Sequence, residues 1–371
     1  MSQRRLKIVI VEPSGRRGLI HYAHGLCSAL ADAGHQVLLA TSVDFETRGV
    51  EGGYEAMEVF DRLRPRVVKL LRFFTTLAST APDVVHIQGA VHPALYLVLM
   101  KAARLVCGAR IVYTAHEVAP VGKKGAIGGE RTLTRLYAGA DAVIVHAAPL
   151  AGELSERFGV PAEKVFVLPM GNNFFLSRID DKIDSLTEGA GGGKTVLFFG
   201  IIEPRKGLMH LVRAFAHIRR RVPEARLRIV GQPYEDVTPY LEEIERLGIG
   251  DAVETSFGYV PMEEIPRHFR SAHVVVLPYT YTAQSAVVAT AYAFSKPVVT
   301  TDVGGLPEMV EHGESGLLVP SGDEDRLADA VAAVLEDDGL RQRMGRRAGE
   351  LAATRLGWDA IAKETLKVYG A

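Results

Sequence analysis

Short runs of β-branched and aliphatic residues recur along the 371 residues, each closed by a glycine or polar loop and followed by an amphipathic stretch. "LKIVIVEP" at residues 6–13, the loop "SGRRG", the helix-like "LIHYAHGLCSALADAG" and the strand-like "HQVLLATS" set the pattern. Strands that read as continuous apolar runs are covered on both faces, as in parallel βαβ units. "DVVHIQG", "ARIVYTAHE", "DAVIVHA" and "KVFVLPMG" continue the series. After the glycine stretch at 189–193, the one flexible-linker composition in the chain, the pattern restarts at "KTVLFFG" and runs through "ARLRIVG", "AVETSFG", "HVVVLPY" and "KPVVTTD". The order predicts an α/β chain of two doubly wound, Rossmann-like domains, over residues 1–180 and 181–356, each long enough to bury its own core. Such sheets bind ligands at the carboxyl ends of their strands, and two that face each other enclose a cleft. The residues just after strands are therefore the ones to read for function.

Composition removes several classes. With 47% hydrophobic and 23% charged residues, and no apolar run near the ~18 residues of a membrane span, the chain reads as a soluble globular protein. The apolar run after Arg4 and Arg5 is short and ends at Glu12-Pro13, so it is expected to be a first strand and not a leader, in a cytoplasmic protein. Cys27 and Cys107 lie in apolar helical patterns and read as buried thiols. His21, His24, His86 and His92 show no ligand spacing, so no metal site is expected. No G-x-G-x-x-G follows the first strand, and neither a P-loop nor a G-x-S-x-G elbow is present.

Net charge is −1 overall but +5 over residues 1–180 and −6 over the remainder, and no nucleic-acid partner is expected. The positive excess is local. "DRLRPRVVKLLRFF" at 61–74 places Arg62, Arg66, Lys69 and Arg72 broadly on one helical face, with Val67, Leu70, Leu71 and Phe74 on or near the other. A solvated amphipathic helix and peripheral docking of residues 62–74 on an anionic membrane both fit.

Four strand ends carry chemistry. In "FFGIIEPRKGLMHLVRAF", Arg205 and Lys206 stand beside a helix opened by Gly207, a setting suited to a diphosphate. In "TAQSAVVATAYAF", a polar turn runs into a helix starting near Gln284 or Ser285, which leaves the amides of Ala286 and Val287 able to take an anion, while Ser285 also suits an N-cap. His116 and Glu117 follow the strand "IVYTA", where His116 can serve a sugar hydroxyl or positive charge, or a structural bond. The Gly15–Gly18 loop allows close approach of backbone to a ligand, or simply a tight turn.

Taken in order, these sites resemble the retaining glycosyltransferases of the GT-B fold, family four of the sequence classification. The resemblance spans nearly the whole chain, through "GLIHYAHGLCSALADAGHQV", "YTAHE", "EPRKGL", "VGGLPEMVEHGESGLLV" and "GWDAIAKETLKVY". It implies an N-terminal acceptor domain, onto which a final helix at about 357–371 packs back, and a C-terminal domain for a nucleotide-sugar donor. It implies no cofactor and no divalent metal, and no D-x-D stands at a strand end. By this resemblance the catalytic groups are His116, Arg205 and Lys206. Gly18, Thr282, Gln284, Ser285, Ala286 and Val287 bind the donor diphosphate and sugar, and Thr290, Tyr259 and Val260 face the ribose or base. The reaction implied is transfer of a hexose from a UDP- or GDP-sugar to a glycan or lipid-linked acceptor, with retention.

The chain departs from the family at two glutamates eight positions apart, replaced by Thr282 and Thr290, and at a Gly-Arg replaced by Gly200-Ile201. A neutral threonine can still donate and accept a hydrogen bond, but it cannot grip two ribose hydroxyls as a carboxylate can. Gln284-Ser285 resembles a branch of the family with "QSG" at this place. Two further readings stay open: a catalytically weak nucleotide-sugar-binding partner of another transferase, and a GT-B sugar-nucleotide epimerase.

Overall fold

The computed structural model describes residues 4–61, 64–65, 67–89, 93–118, 129–179 and 193–371. Two compact units divide it, Met1–Gly171 with Leu356–Ala371, and Asn172–Arg355. The boundary lies nine residues before the one expected from composition, because α6, introduced below, packs within the second unit.

The first unit alternates strand and helix: β1 (Lys7–Glu12), α1 (Arg17–Asp32), β2 (Gln36–Ser42), β3 (Glu55–Asp61), β4 (Arg64–Pro65), α2 (Val67–Thr80), β5 (Val84–Gly89), α3 (Pro93–Cys107), β6 (Arg110–Ala115), α4 (Gly129–Gly139), β7 (Ala142–Val145), α5 (Ala148–Phe158) and β8 (Val165–Val167). Its sheet runs β4-β3-β2-β1-β5-β6-β7-β8, parallel except for the two-residue β4. Ile10 of β1 stands opposite Leu39 on one side and His86 on the other, so the middle strand is covered on both faces and tolerates the unbroken KIVIV run.

The helix expected over 61–74 begins only at Val67; Asp61 ends β3, and Arg62 and Arg66 lie outside the described residues. Its packing also differs from the expected faces. Phe73 and Leu77 are buried and Lys69 pairs with Glu58 at 3.0 Å, which leaves Val67, Val68 and Leu71 facing outward at 73%, 80% and 62% exposure.

The second unit holds α6 (Phe174–Ser177), β9 (Lys194–Phe199), α7 (Leu208–Arg221), β10 (Ala225–Gly231), α8 (Thr238–Arg246), β11 (Val253–Phe257), α9 (Ile265–Ser271), β12 (Val274–Leu277), α10 (Ala286–Ala293), β13 (Val298–Thr301), α11 (Leu306–Met309), β14 (Gly316–Val319), α12 (Glu324–Glu336) and α13 (Asp338–Ala353). All its strand pairs are parallel, in the order β11-β10-β9-β12-β13-β14. Leu208, Leu211, Val212, Phe215 and Ile218 of α7 recur at helical spacing and bury against Val196 and Phe198 of β9, each large side chain contributing roughly 1.5–3 kcal/mol. Asp323 and Asp337 cap α12 and α13, accepting from Arg326 N and Leu340 N at 2.9 Å each.

The order reverses direction between β9 and β12, so this is the switch point of the second sheet, where loops diverge and a crevice opens at the strands' carboxyl ends.

The last helix, α14 (Trp358–Tyr369), belongs to the first unit. A Cβ on Gly25 or on Gly171 would come within 2.1 Å of the Trp358 indole, so both glycines clear the space that the ring fills. Arg110 Nε donates to Val368 O at 3.1 Å, and Tyr369 OH meets His86 Nδ1 at 2.6 Å. No helix among the described residues is long and apolar enough to cross a membrane.

Candidate active site

At the switch point of the second sheet, the loops after β9 and β12 are tied together. After Gly200, with φ at +126°, the chain makes a helical turn over Pro204–Lys206 and enters α7 through Gly207. Gly207 has φ at +63°, and a Cβ there would lie 1.9 Å from Pro278 O, so only glycine lets the two loops approach this closely. Thr280 N donates to Arg205 O at 2.9 Å and closes the contact. Arg205 Nε lies 2.7 Å from Glu203 Oε1, and the Lys206 ammonium sits 3.8 Å from the centre of the Tyr279 ring. Two cations are thereby fixed beside the first turn of α7.

The β12 loop ends in the start of α10. Ser285 is the N-cap in extended conformation, but its side chain makes no capping bond. Ser285 Oγ and Gln284 Oε1 are both buried with no hydrogen-bond partner among the described residues. Buried polar atoms are almost always paired, and here they lie beside helix-opening amides of Ala286 and Val287 that have no preceding turn to bond to. Ala286 and Val287 are half-buried. The arrangement offers donors, one unpaired hydroxyl and one unpaired carbonyl to a polar, anionic group.

The two threonines are engaged within the fold. Thr282 Oγ1 donates to Gln284 O at 2.7 Å and so shapes the loop, whose Thr282 carbonyl lies against Gly304: a Cβ on Gly304 would be 1.7 Å from it. Thr290 Oγ1 donates to Ala286 O at 2.9 Å and accepts from Asn173 Nδ2 at 2.8 Å. Tyr259, 38% exposed, and Val260 follow β11, two strands from β9 at the same end of the sheet.

In the first unit, Gly18 is the second residue of α1 and His116 directly follows β6. The loop before Gly18 is latched by two carboxylates. Glu12 accepts from Ser14 N at 2.9 Å and Gly15 N at 2.8 Å, and Glu46 accepts from Arg17 N at 3.0 Å while meeting His21 Nε2 at 3.0 Å. Burial pushes the Glu12 carboxyl up. Arg17 takes φ at +61°, a strained conformation for a side-chain-bearing residue.

His116 is buried and in contact with His146, whose Nε2 lies 3.2 Å from His116 Nδ1, and with Gln88, whose side-chain amide lies 2.8 Å from His116 Nε2. Sequence reading passed over Gln88 and His146. Gln88 of β5 stands in register with Thr114, two residues before His116, while His116 and His146 each lie two residues beyond the paired Thr114 and Ile144; "HIQG", "YTAHE" and "IVHA" come together because β5, β6 and β7 are neighbours. Burial lowers all three imidazoles nearby, His86 to about 3, His146 to about 4 and His116 well below the ordinary value, with neighbouring histidines adding to the shift of His86 and His116.

Two parallel-sheet, Rossmann-like units with polar groups at the carboxyl ends of their strands are the architecture of the GT-B fold. The family described as "Glycosyl transferases group 1" matches residues 193–337, and that described as "Glycosyltransferase Family 4" matches residues 16–173. The GDP-mannose-dependent alpha-(1-6)-phosphatidylinositol monomannoside mannosyltransferase of Mycobacterium tuberculosis is 32% identical over 284 residues, which cover 71% of this chain and 70% of that protein. The chain belongs to this glycosyltransferase family. The D-inositol 3-phosphate glycosyltransferase of Segniliparus rotundus is 31% identical over 277 residues, and the match spans 71% of this chain and about three fifths, 61%, of that protein. The crystal structure of Anabaena Alr3699/HepE in complex with UDP-glucose shares the fold, with a TM-score of 0.76 at 20% identity over 99% of this chain and 100% of that one.

Proposed function

We propose that the chain transfers a hexose from a UDP- or GDP-sugar to a glycan or lipid-linked acceptor, with retention of configuration and without a divalent metal. The observation that carries this is the switch point of the second sheet, where Arg205 and Lys206 are joined by the Thr280–Arg205 bond to an α10 start holding two buried, unpaired polar atoms. Lys206 and Arg205 balance the charge of the leaving diphosphate, and the amides of Ala286 and Val287 donate to its oxygens. Ser285 Oγ and Gln284 Oε1 bond the phosphate or sugar. As the C1–O bond to the diphosphate breaks, the acceptor oxygen bonds C1 on the same face and its proton passes to the leaving phosphate oxygen. The protein then supplies orientation and charge stabilisation and needs no carboxylate base. Relatives whose names specify GDP-mannose and phosphatidylinositol mannoside or inositol phosphate support a phosphate-bearing or lipid-linked acceptor. The outward Val67, Val68 and Leu71 support peripheral contact with a membrane carrying such an acceptor.

A second reading, a nucleotide-sugar-binding subunit with weak turnover, is favoured by the internal engagement of Thr282 and Thr290, which leaves no carboxylate grip at either place. Nucleoside diphosphate release across a panel of nucleotide sugars, with and without acceptors, separates the two.

A further inference from the structure

A row of buried side chains crosses the carboxyl end of the first sheet. Leu168 O lies 3.0 Å from His146 Nδ1, and His146 Nε2 lies 3.2 Å from His116 Nδ1. The far nitrogen of His116 meets the Gln88 amide at 2.8 Å, and the other end of that amide lies 3.3 Å from His86 Nε2. His86 Nε2 also stands 2.7 Å from Thr114 Oγ1, and His86 Nδ1 stands 2.6 Å from Tyr369 OH. All six side chains are buried.

These distances fit either orientation of the Gln88 amide, and the protons decide between them. A carbonyl only accepts, so His146 Nδ1 carries a proton for Leu168 O. A neutral His146 then accepts at Nε2, so His116 Nδ1 must donate to it. A neutral His116 in turn accepts at Nε2, which turns the NH2 of Gln88 toward His116. The Gln88 oxygen faces His86 Nε2–H, shared with Thr114, and His86 Nδ1 accepts from the Tyr369 hydroxyl. Each contact in the row then pairs a donor with an acceptor, and no ring is charged. With the amide reversed, His116 donates to Gln88 and one of the two rings, His146 or His116, must carry both protons, an imidazolium that burial disfavours at both.

We propose that Gln88 and His146 are positioning residues that lock His116 in one neutral tautomer, protonated at Nδ1 and with both ring nitrogens occupied, and that turnover depends on this lock. The proposal rests on the reading of His116 as a residue that contacts the reacting sugar. It implies that the ring of His116 gives no nitrogen to the reaction as a base, and that its value lies in a fixed position.

The test uses the full chain with 15N-labelled histidine and long-range 15N–1H correlation, the His116 signals being assigned by their loss in His116→Gln. In the unsubstituted protein at neutral pH, His116 is expected to show a protonated Nδ1 and a bare Nε2; a protonated Nε2 overturns the assignment. Gln88→Glu keeps the volume but can only accept at neutral pH, so it should move the His116 proton to Nε2 or charge the ring. It should also lower kcat by roughly 10- to 100-fold with the donor KM nearly unchanged. Gln88→Leu, which removes both bonds, should lower kcat without moving the proton to Nε2. A tautomer switch in Gln88→Glu with kcat intact overturns the positioning role while transfer itself stands. Absence of turnover in the unsubstituted protein counts against the transfer reading, and there the 15N spectrum alone decides whether the lock exists.

Discussion

Lys206 holds its ammonium 3.8 Å from the centre of the Tyr279 ring. The ring belongs to the loop after β12 and the lysine to the turn after β9, so the contact fixes a cation across the switch point without neutralising it. Lys206→Ala is expected to weaken binding of UDP or GDP by about 1.5–3 kcal/mol, the worth of a charged hydrogen bond. Tyr279→Leu, which removes only the ring under the cation, should cost about 0.5–1 kcal/mol. Calorimetric titration with the nucleoside diphosphates reads both, and unchanged affinity in Lys206→Ala removes the lysine from the diphosphate site.

Thr290 gives its proton to Ala286 O and takes one from Asn173. Thr290→Val leaves the buried Asn173 amide without its acceptor, and should destabilise the second unit by about 1–3 kcal/mol in denaturant titrations. Nucleotide affinity should stay within about twofold, since less than ~0.5 kcal/mol is at stake away from a ligand contact. A loss of affinity for UDP or GDP with stability intact would instead put Thr290 on the ribose.

Acid should unfold the first unit early. The folded chain holds His86 near 3 and His146 near 4 against an ordinary 6.5. Because the folded values are depressed, the unfolded chain takes up protons first; stability is full above about pH 6.5 and falls as pH drops toward 4. Each such histidine steepens the loss by up to about 1.4 kcal/mol per pH unit. The chain's single tryptophan, Trp358, packs in this unit, so its fluorescence follows the transition directly. A midpoint in denaturant that does not change between pH 7 and 5 contradicts the burial of neutral histidines.

Val68 is 80% exposed and Leu71 62% exposed on α2, beside the exposed Arg72. If this face meets lipid, the pair Val68→Asp and Leu71→Asp should abolish co-sedimentation with vesicles containing anionic lipid, while surface substitutions leave stability within about 0.5 kcal/mol. Sedimentation that is equal for the two proteins, or that is absent for both, contradicts the membrane contact.

Much of this architecture was legible in the chain. The buried strands of both sheets announce themselves because a strand covered on two faces must be apolar throughout, as in "KIVIV" and "VVVL". Strand β3, with only the two-residue β4 outside it, was not, since "EAMEVFD" is half solvated and carries glutamates among its apolar residues. The start of α10 and the Arg205–Lys206 turn could be named from sequence because helix entries have chemical signatures, Ser285 and Gly207 among them. What linear order could not supply was neighbourhood. Asn173 reaches Thr290 across 117 positions and Tyr369 reaches His86 across 283, and no periodicity links residues so far apart. The tie between Gln88, His116 and His146 likewise depends on β5, β6 and β7 being adjacent, which topology decides.

If the start of α10 is the donor site, nucleotide-sugar turnover depends on it. UDP- and GDP-sugars are supplied in turn, with a lipid-linked or phosphate-bearing acceptor, and nucleoside diphosphate release is followed for the chain and for Ser285→Ala. Since Ser285 Oγ makes no capping bond, the substitution should leave stability within about 0.5 kcal/mol but weaken donor binding by about 0.5–1.5 kcal/mol. Release from at least one donor, dependent on acceptor and reduced in Ser285→Ala, is the predicted result. Binding of donor with no release under any acceptor, or release indifferent to Ser285→Ala, would contradict it.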